Sequence, residues 1–165
     1  MARLVKNEWE ALSLHAKGCF FLTIYPLLTF LWSLFIVIAA CTSDAYIFMF
    51  DQVVKFSFIT DPTFSDLLIT SDINPSNEFY LIQKTGHIIS FGILYILHLL
   101  WMKRAGIAFI STCIFAAFSE VLQLYFNRNG RLFDVGIDIF GILLTFIICK
   151  FIVSNVLNTR IIHSK

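Results

Sequence analysis

Three groups of side chains with real chemical capacity interrupt an otherwise apolar sequence. They are Lys84 with His87, Glu120 with Gln123, and Arg128 with Arg131, Asp134 and Asp138. Arg128 and Arg131 carry planar guanidinium forks that suit phosphate or carboxylate, and Lys84 adds a compact positive charge. His87 can act as a general base or proton carrier near neutral pH, with Glu120 or Asp134 to orient it, so these three are the candidate catalytic residues. Glu120, Asp134 and Asp138 are oxygen donors of the kind hard cations take, but three neighbouring cations would neutralise them first, so no metal and no other cofactor is expected. Helical spacing puts Lys84, His87 and Phe91 on one stripe. Glu120, Gln123 and Asn127 form a second, and Arg131, Asp134, Asp138 and Gly141 a third.

The elements that carry these stripes belong in a bilayer. The 165-residue chain is 58% hydrophobic and 14% charged, with a mean hydropathy of +0.81, which excludes an ordinary soluble domain. A formal net charge of +1 says nothing about nucleic acid, no basic block suggests it, and no nucleic-acid partner is expected. Four stretches reach the ~20 apolar residues that a helical crossing needs. They run from about residue 19 to 40, 83 to 101, 105 to 126 and 132 to 153. The fold class is therefore an all-α integral membrane protein of four transmembrane helices. Residues 1–18 form an interfacial lead-in, 19–165 the membrane domain, and 41–82 a long loop. Pro26 should kink the first helix.

Charge sets the orientation. Arg3, Lys6, Lys17, Lys103, Arg104, Lys150, Arg160 and Lys165 fall on one side of the four-span arrangement. The long loop carries Asp44, Asp51, Asp61, Asp66, Asp72 and Glu78 against Lys55 alone. The positive-inside rule then places both termini in the cytoplasm and the loop outside, in the cytoplasmic membrane of a cell. All three polar stripes fall at the outer helix ends, with Glu120 and Asp138 roughly 10 Å in from the boundary. Within the loop, the aromatic segment from Ala45 to Thr60 is too short and too charged to span, so it should fold back on the bundle, with turns at Asp61-Pro62 and Asn74-Pro75.

Ile38-Ala39-Ala40-Cys41 resembles a lipobox, yet the apolar run before it exceeds a signal h-region of roughly 7–15 residues, so a retained first span is expected. Cys19, Cys41, Cys113 and Cys149 lack metal or disulfide spacing and read as small hydrophobes. His98, deep in the second span without an acidic neighbour, reads as a hydrogen-bonded packing residue, and His15 and His163 as solvated.

Two readings of the polar groups compete. Paired charges could lock three helices in register, with Gly86, Gly136 and Gly141 allowing close approach. Alternatively the groups line an outward-facing pit for a polar, anionic headgroup, because ionisable residues inside a membrane bundle mark function by default. In that case Lys84, His87, Glu120, Gln123, Arg128, Arg131, Asp134 and Asp138 are the ligand-binding set, and the partner is a membrane lipid or lipid-linked envelope molecule.

Lys84-x-x-His87, Glu120-x-x-Gln123 and Arg128-x5-Asp134-Val135-x-x-Asp138-x-x-Gly141 together resemble the VanZ-like family, over about residues 84 to 145. Asp138 stands where many members have Asn. The resemblance implies a bacterial multi-pass membrane protein, in a family whose namesake is tied to resistance against the glycopeptide teicoplanin. A weaker likeness, Arg128-x5-Asp134-x3-Asp138, echoes type-2 phosphatidic acid phosphatases, with Asp134 in place of the nucleophilic His. It keeps a hydrolase or transferase acting on a lipid-linked phosphate as the enzymatic alternative.

The orientation has a direct test. In a background without native cysteines, a cysteine introduced at Ser57 should react with a membrane-impermeant maleimide on intact cells, and one at Lys103 should not. The opposite labelling would invert the topology.

Overall fold

The computed structural model describes residues 23–163, with side chains described as far as residue 155. The lead-in with Arg3, Lys6, His15 and Lys17, the start of the first span at Cys19, the side chains of Arg160 and His163, and Lys165 lie outside the described residues.

Among the described residues every regular element is helical. Helix α1 is described from Thr23 to Cys41. A short α2 covers Ala45–Asp51 and a 3-10 turn Phe64–Leu68, and then come α3 (Glu78–Met102), α4 (Ala105–Tyr125) and α5 (Leu132–His163). Four of these are long and apolar enough to cross a membrane: α1, α3, α4, and α5 as far as Asn155. At 1.5 Å per residue the 25 residues of α3 extend about 37 Å, more than a ~30 Å hydrocarbon core requires.

Burial is inverted relative to a soluble protein. Phe30, Ile89, Ile110, Ile114, Phe118, Phe140, Ile147 and Phe151 are exposed, whereas Thr112, Ser119, Glu120, Gln123, Asp134 and Asp138 are buried. Hydrocarbon outside and satisfied polar groups inside is the arrangement a bilayer demands. The apolar core is small. Phe91, Leu94 and Tyr95 of α3, Ala108 and Ala116 of α4, Ile142 of α5 and Ile36 of α1 form one cluster. Trp32 Nε1 donates to the Ser90 carbonyl at 3.0 Å, tying α1 to α3.

Helix ends follow local capping chemistry. Helix α3 begins at Glu78, earlier than the hydropathy boundary near residue 83, because the Asn77 side chain accepts the Tyr80 N–H at 3.2 Å. It ends at Lys103, whose left-handed conformation (φ 55°) lets its N–H reach the Leu99 carbonyl. The link to α4 is then only Lys103 and Arg104, so the two helices must be antiparallel neighbours. Asp44 caps α2 through the Ile47 N–H at 3.0 Å.

The loop does fold back. The Ile59 N–H donates to the Tyr125 carbonyl at 2.8 Å, and the Ser43 N–H to the Lys55 carbonyl at 2.7 Å. Phe56 and Phe58 meet Phe126, and Phe58 stacks on Tyr125, at the end of α4. Bends occur at Thr60-Asp61 and a turn at Pro75-Ser76.

Close approach rests on a different set of glycines from the one expected. Gly141 does serve: a Cβ there would press on the backbone of Ile88 in α3. Gly86 and Gly136 face open space, so they do not bring backbones together. Gly130 does, against the Glu120 carbonyl, and Gly92 makes room for the Thr145 hydroxyl. Gly141→Val should therefore force α3 and α5 apart and cost about 1–3 kcal/mol, while Gly136→Ala should be tolerated. Thermal unfolding of both variants in detergent checks the contrast, and equal melting temperatures would refute this contact.

Candidate functional site

Helix α3 begins, α4 ends and α5 begins at the same end of the bundle, and the polar stripes converge there. Lys84 Nζ bonds both Asp134 oxygens at 2.6 Å and lies 4.8 Å from the centre of the Tyr80 ring. His87 Nδ1 lies 2.9 Å from Asp138 Oδ1. Glu120 is fully buried, and its oxygens accept from the Gln123 amide and from the backbone N–H of Arg131, both at 2.9 Å. All eight residues proposed from the sequence thus occupy one neighbourhood.

Their pairing differs from a simple balance of three cations against three acids. Among the described residues, Asp134 alone of Glu120, Asp134 and Asp138 forms an ion pair with Lys or Arg. Arg131 turns away to the loop, where its Nε donates to Asp72 at 2.8 Å and its Nη1 to the Asp66 carbonyl at 2.8 Å. Arg128 Nη1 donates to the Thr42 carbonyl at the end of α1. Among the described residues, no Lys or Arg comes within ion-pair distance of Glu120 or Asp138.

Sequence reasoning missed Asp72, Tyr80 and the Thr42 and Asp66 carbonyls. Asp72 was visible only as one of six acids in the loop, and no local spacing links it to a residue 59 positions later. The Thr42 and Asp66 contacts are to backbone and leave no side-chain signal. His98 is satisfied where it stands: Thr112 Oγ1 donates to the Ala108 carbonyl at 2.7 Å and so accepts from His98 Nδ1 at 2.8 Å. Cys41 is buried at the end of α1.

The convergence leaves space. A polar cavity of about 330 Å³ is lined by Tyr80, Gln83, Lys84, Gln123, Asn127, Arg128, Arg131 and Asp134. Beside it an apolar groove of about 640 Å³ runs between α3 and α5, lined by Leu67, Leu68, Ile88, Leu132, Gly136, Ile137 and Phe140. Lys84 and Phe133 line both. A third cavity, of about 190 Å³, lies towards α1 and α2, with Gly86, His87, Phe91, Ser119 and Arg128 in its wall.

Arg128 is the cation with most left to give. It spends one of five N–H donors on Thr42 and, among the described residues, has no carboxylate within ion-pair distance. Burial pulls its guanidinium below the ordinary value, and Glu120, then Cys41, Asp44 and Asp134, oppose that by attraction. It remains a cation at neutral pH, partly desolvated and facing a cavity.

Fold and site define a multi-pass membrane protein with a polar pocket at one end of a four-helix bundle. Over 113 residues, 67% of this chain and 79% of the relative, it is 39% identical to the uncharacterized membrane protein YwnJ of Bacillus subtilis (strain 168). The chain belongs to the family of that protein. No family model matches it, and no solved structure matches it.

Arg131 acts as a strap between the loop and the bundle. Arg131→Gln should release residues 66–72 and raise their amide exchange roughly tenfold, the loss expected for a charge-assisted hydrogen bond. Unchanged exchange would remove Arg131 from that role.

Proposed function

We propose that this membrane protein binds an amphiphile with an anionic headgroup, the headgroup in the polar cavity and the apolar tail in the groove between α3 and α5. The observation that carries this reading is the adjacency of the two spaces. A 330 Å³ polar cavity and a 640 Å³ apolar groove share Lys84 and Phe133, so a molecule half charged and half greasy fills both. Arg128 supplies the free donors that a phosphate or carboxylate needs, and Lys84, held by Asp134, sits at the junction. Arg131 holds the loop over the site, and Glu120 and Gln123 position the turn that carries Arg128 and Arg131.

The excess of Lys and Arg near the opposite helix ends supports an outward-facing pocket with both termini in the cytoplasm. The VanZ-like resemblance of the same residues supports an occupant from the cell envelope: an anionic envelope lipid, a lipid-linked cell-wall precursor, or a glycopeptide antibiotic. Envelope homeostasis or antibiotic resistance is the matching role.

A second reading, a hydrolase or transferase acting on a lipid-linked phosphate, is favoured by one contact. The His87–Asp138 hydrogen bond orients an imidazole towards a cavity that also contains Arg128. It requires turnover of such a lipid by the purified protein.

The binding reading is tested in nanodiscs with undecaprenyl phosphate as probe. Arg128→Met should weaken binding about tenfold or more, since charge-assisted hydrogen bonds are each worth roughly 1.5–3 kcal/mol. Gly136→Leu, which fills the groove without touching a charge, should weaken it as well. Unchanged affinity in both folded variants would remove the proposal, and a purely structural role predicts that outcome together with lowered stability in Lys84→Met.

A further inference from the structure

Beneath the polar cavity, His87, Glu120 and Asp138 form an inner cluster that the headgroup site does not use. One ligand-type atom from each lies within 4.8 Å of the other two. Glu120 and Asp138 are fully buried. Among the described residues neither forms an ion pair with Lys or Arg, and His87 comes within ion-pair distance of Asp138 alone. Two carboxylates in a membrane interior are costly unless a positive charge compensates them, and one imidazole cannot balance two.

An independent sign points to a missing ligand. Asp138 Oδ2 is the single buried side-chain oxygen or nitrogen among the described residues that lacks a hydrogen-bond partner. A buried acceptor of this kind is rare and calls for something to donate to it or coordinate it. The other atoms are already steadied. Gln123 and the Arg131 N–H hold one bond to each Glu120 oxygen and leave further lone pairs on both.

The geometry points to a divalent metal site formed by His87, Glu120 and Asp138, taking a borderline cation such as Zn²⁺ or Mn²⁺. One nitrogen and two carboxylate oxygens suit that class, whereas an all-oxygen set would suit Ca²⁺ or Mg²⁺. A dipositive ion with two carboxylates and a neutral imidazole sums to zero charge. Tetrahedral donors at about 2.0–2.2 Å from one ion lie roughly 3.3–3.6 Å apart, so the side chains must draw together by up to about 1.5 Å. The 190 Å³ cavity has His87 and Ser119 in its wall, on the α1 side. This site is independent of the headgroup reading, because Arg128 takes no part in it.

The full chain, purified in detergent and stripped with EDTA, is titrated with Zn²⁺ and separately with Mn²⁺ against a chromophoric chelator. One equivalent at micromolar affinity or tighter is expected. Glu120→Gln and Asp138→Asn should each weaken binding by at least the roughly 10–100-fold that loss of a mere outer-shell partner costs. Arg128→Met, which removes a cation attracted by Glu120, should weaken lipid binding without weakening metal affinity, which separates failure of this site from failure of the headgroup site. Should the carboxylate variants not fold, pulsed EPR of Mn²⁺ on a His15→Gln, His163→Gln background should still show one histidine nitrogen coupling. Absence of saturable binding, undiminished affinity in folded Glu120→Gln, or a spectrum without nitrogen coupling would each overturn the assignment.

Discussion

The carboxylate of Glu120 fixes the geometry at the polar end of the bundle. It is fully buried on the last turns of α4, and one of its oxygens accepts the backbone N–H of Arg131, the residue before α5. Its other oxygen takes the Gln123 amide. A buried carboxyl group in this setting needs hydrogen-bond partners, since leaving a buried polar group without one costs several kcal/mol. The turn between α4 and α5 therefore closes down on Glu120, and Gly130 is needed there because a side chain would strike the Glu120 carbonyl. That closure sets where Arg128 and Arg131 emerge and where α5 starts.

From this anchor the polar groups sort into three jobs. Lys84 with Asp134 and Arg131 with Asp72 join α3, α5 and the loop. Arg128 crosses to the end of α1 but keeps most of its donors for the cavity. His87 and Asp138, with Glu120, form a buried acidic cluster set apart from the cations. Two of the three cations thus tie elements together, while Arg128 faces a polar cavity, so salt bridges and an open polar space lie side by side.

The separation has a physical cause. Arginine at a helix start is long enough to reach out over the loop, and it pairs there with an acid that is still partly hydrated, at a small desolvation cost. A carboxylate on a short stem cannot leave the helix interface, so Glu120 and Asp138 stay buried with whatever donors the neighbouring helices supply.

The four helices, and the fact that Lys84, His87, Glu120, Gln123, Arg128, Arg131, Asp134 and Asp138 share one end, follow from the sequence alone. Twenty-residue apolar runs and 3.6-residue spacing are local properties, and hydrocarbon leaves the backbone few alternatives to helix. Which acid meets which cation was not legible. Asp72 and Arg131, or Arg128 and the Thr42 carbonyl, are far apart in the chain and meet only once the loop has folded back on Tyr125 and Phe126. The tertiary structure also decided which glycines are contacts and which are openings, since a missing side chain looks the same in a sequence whether a neighbour or empty space replaces it.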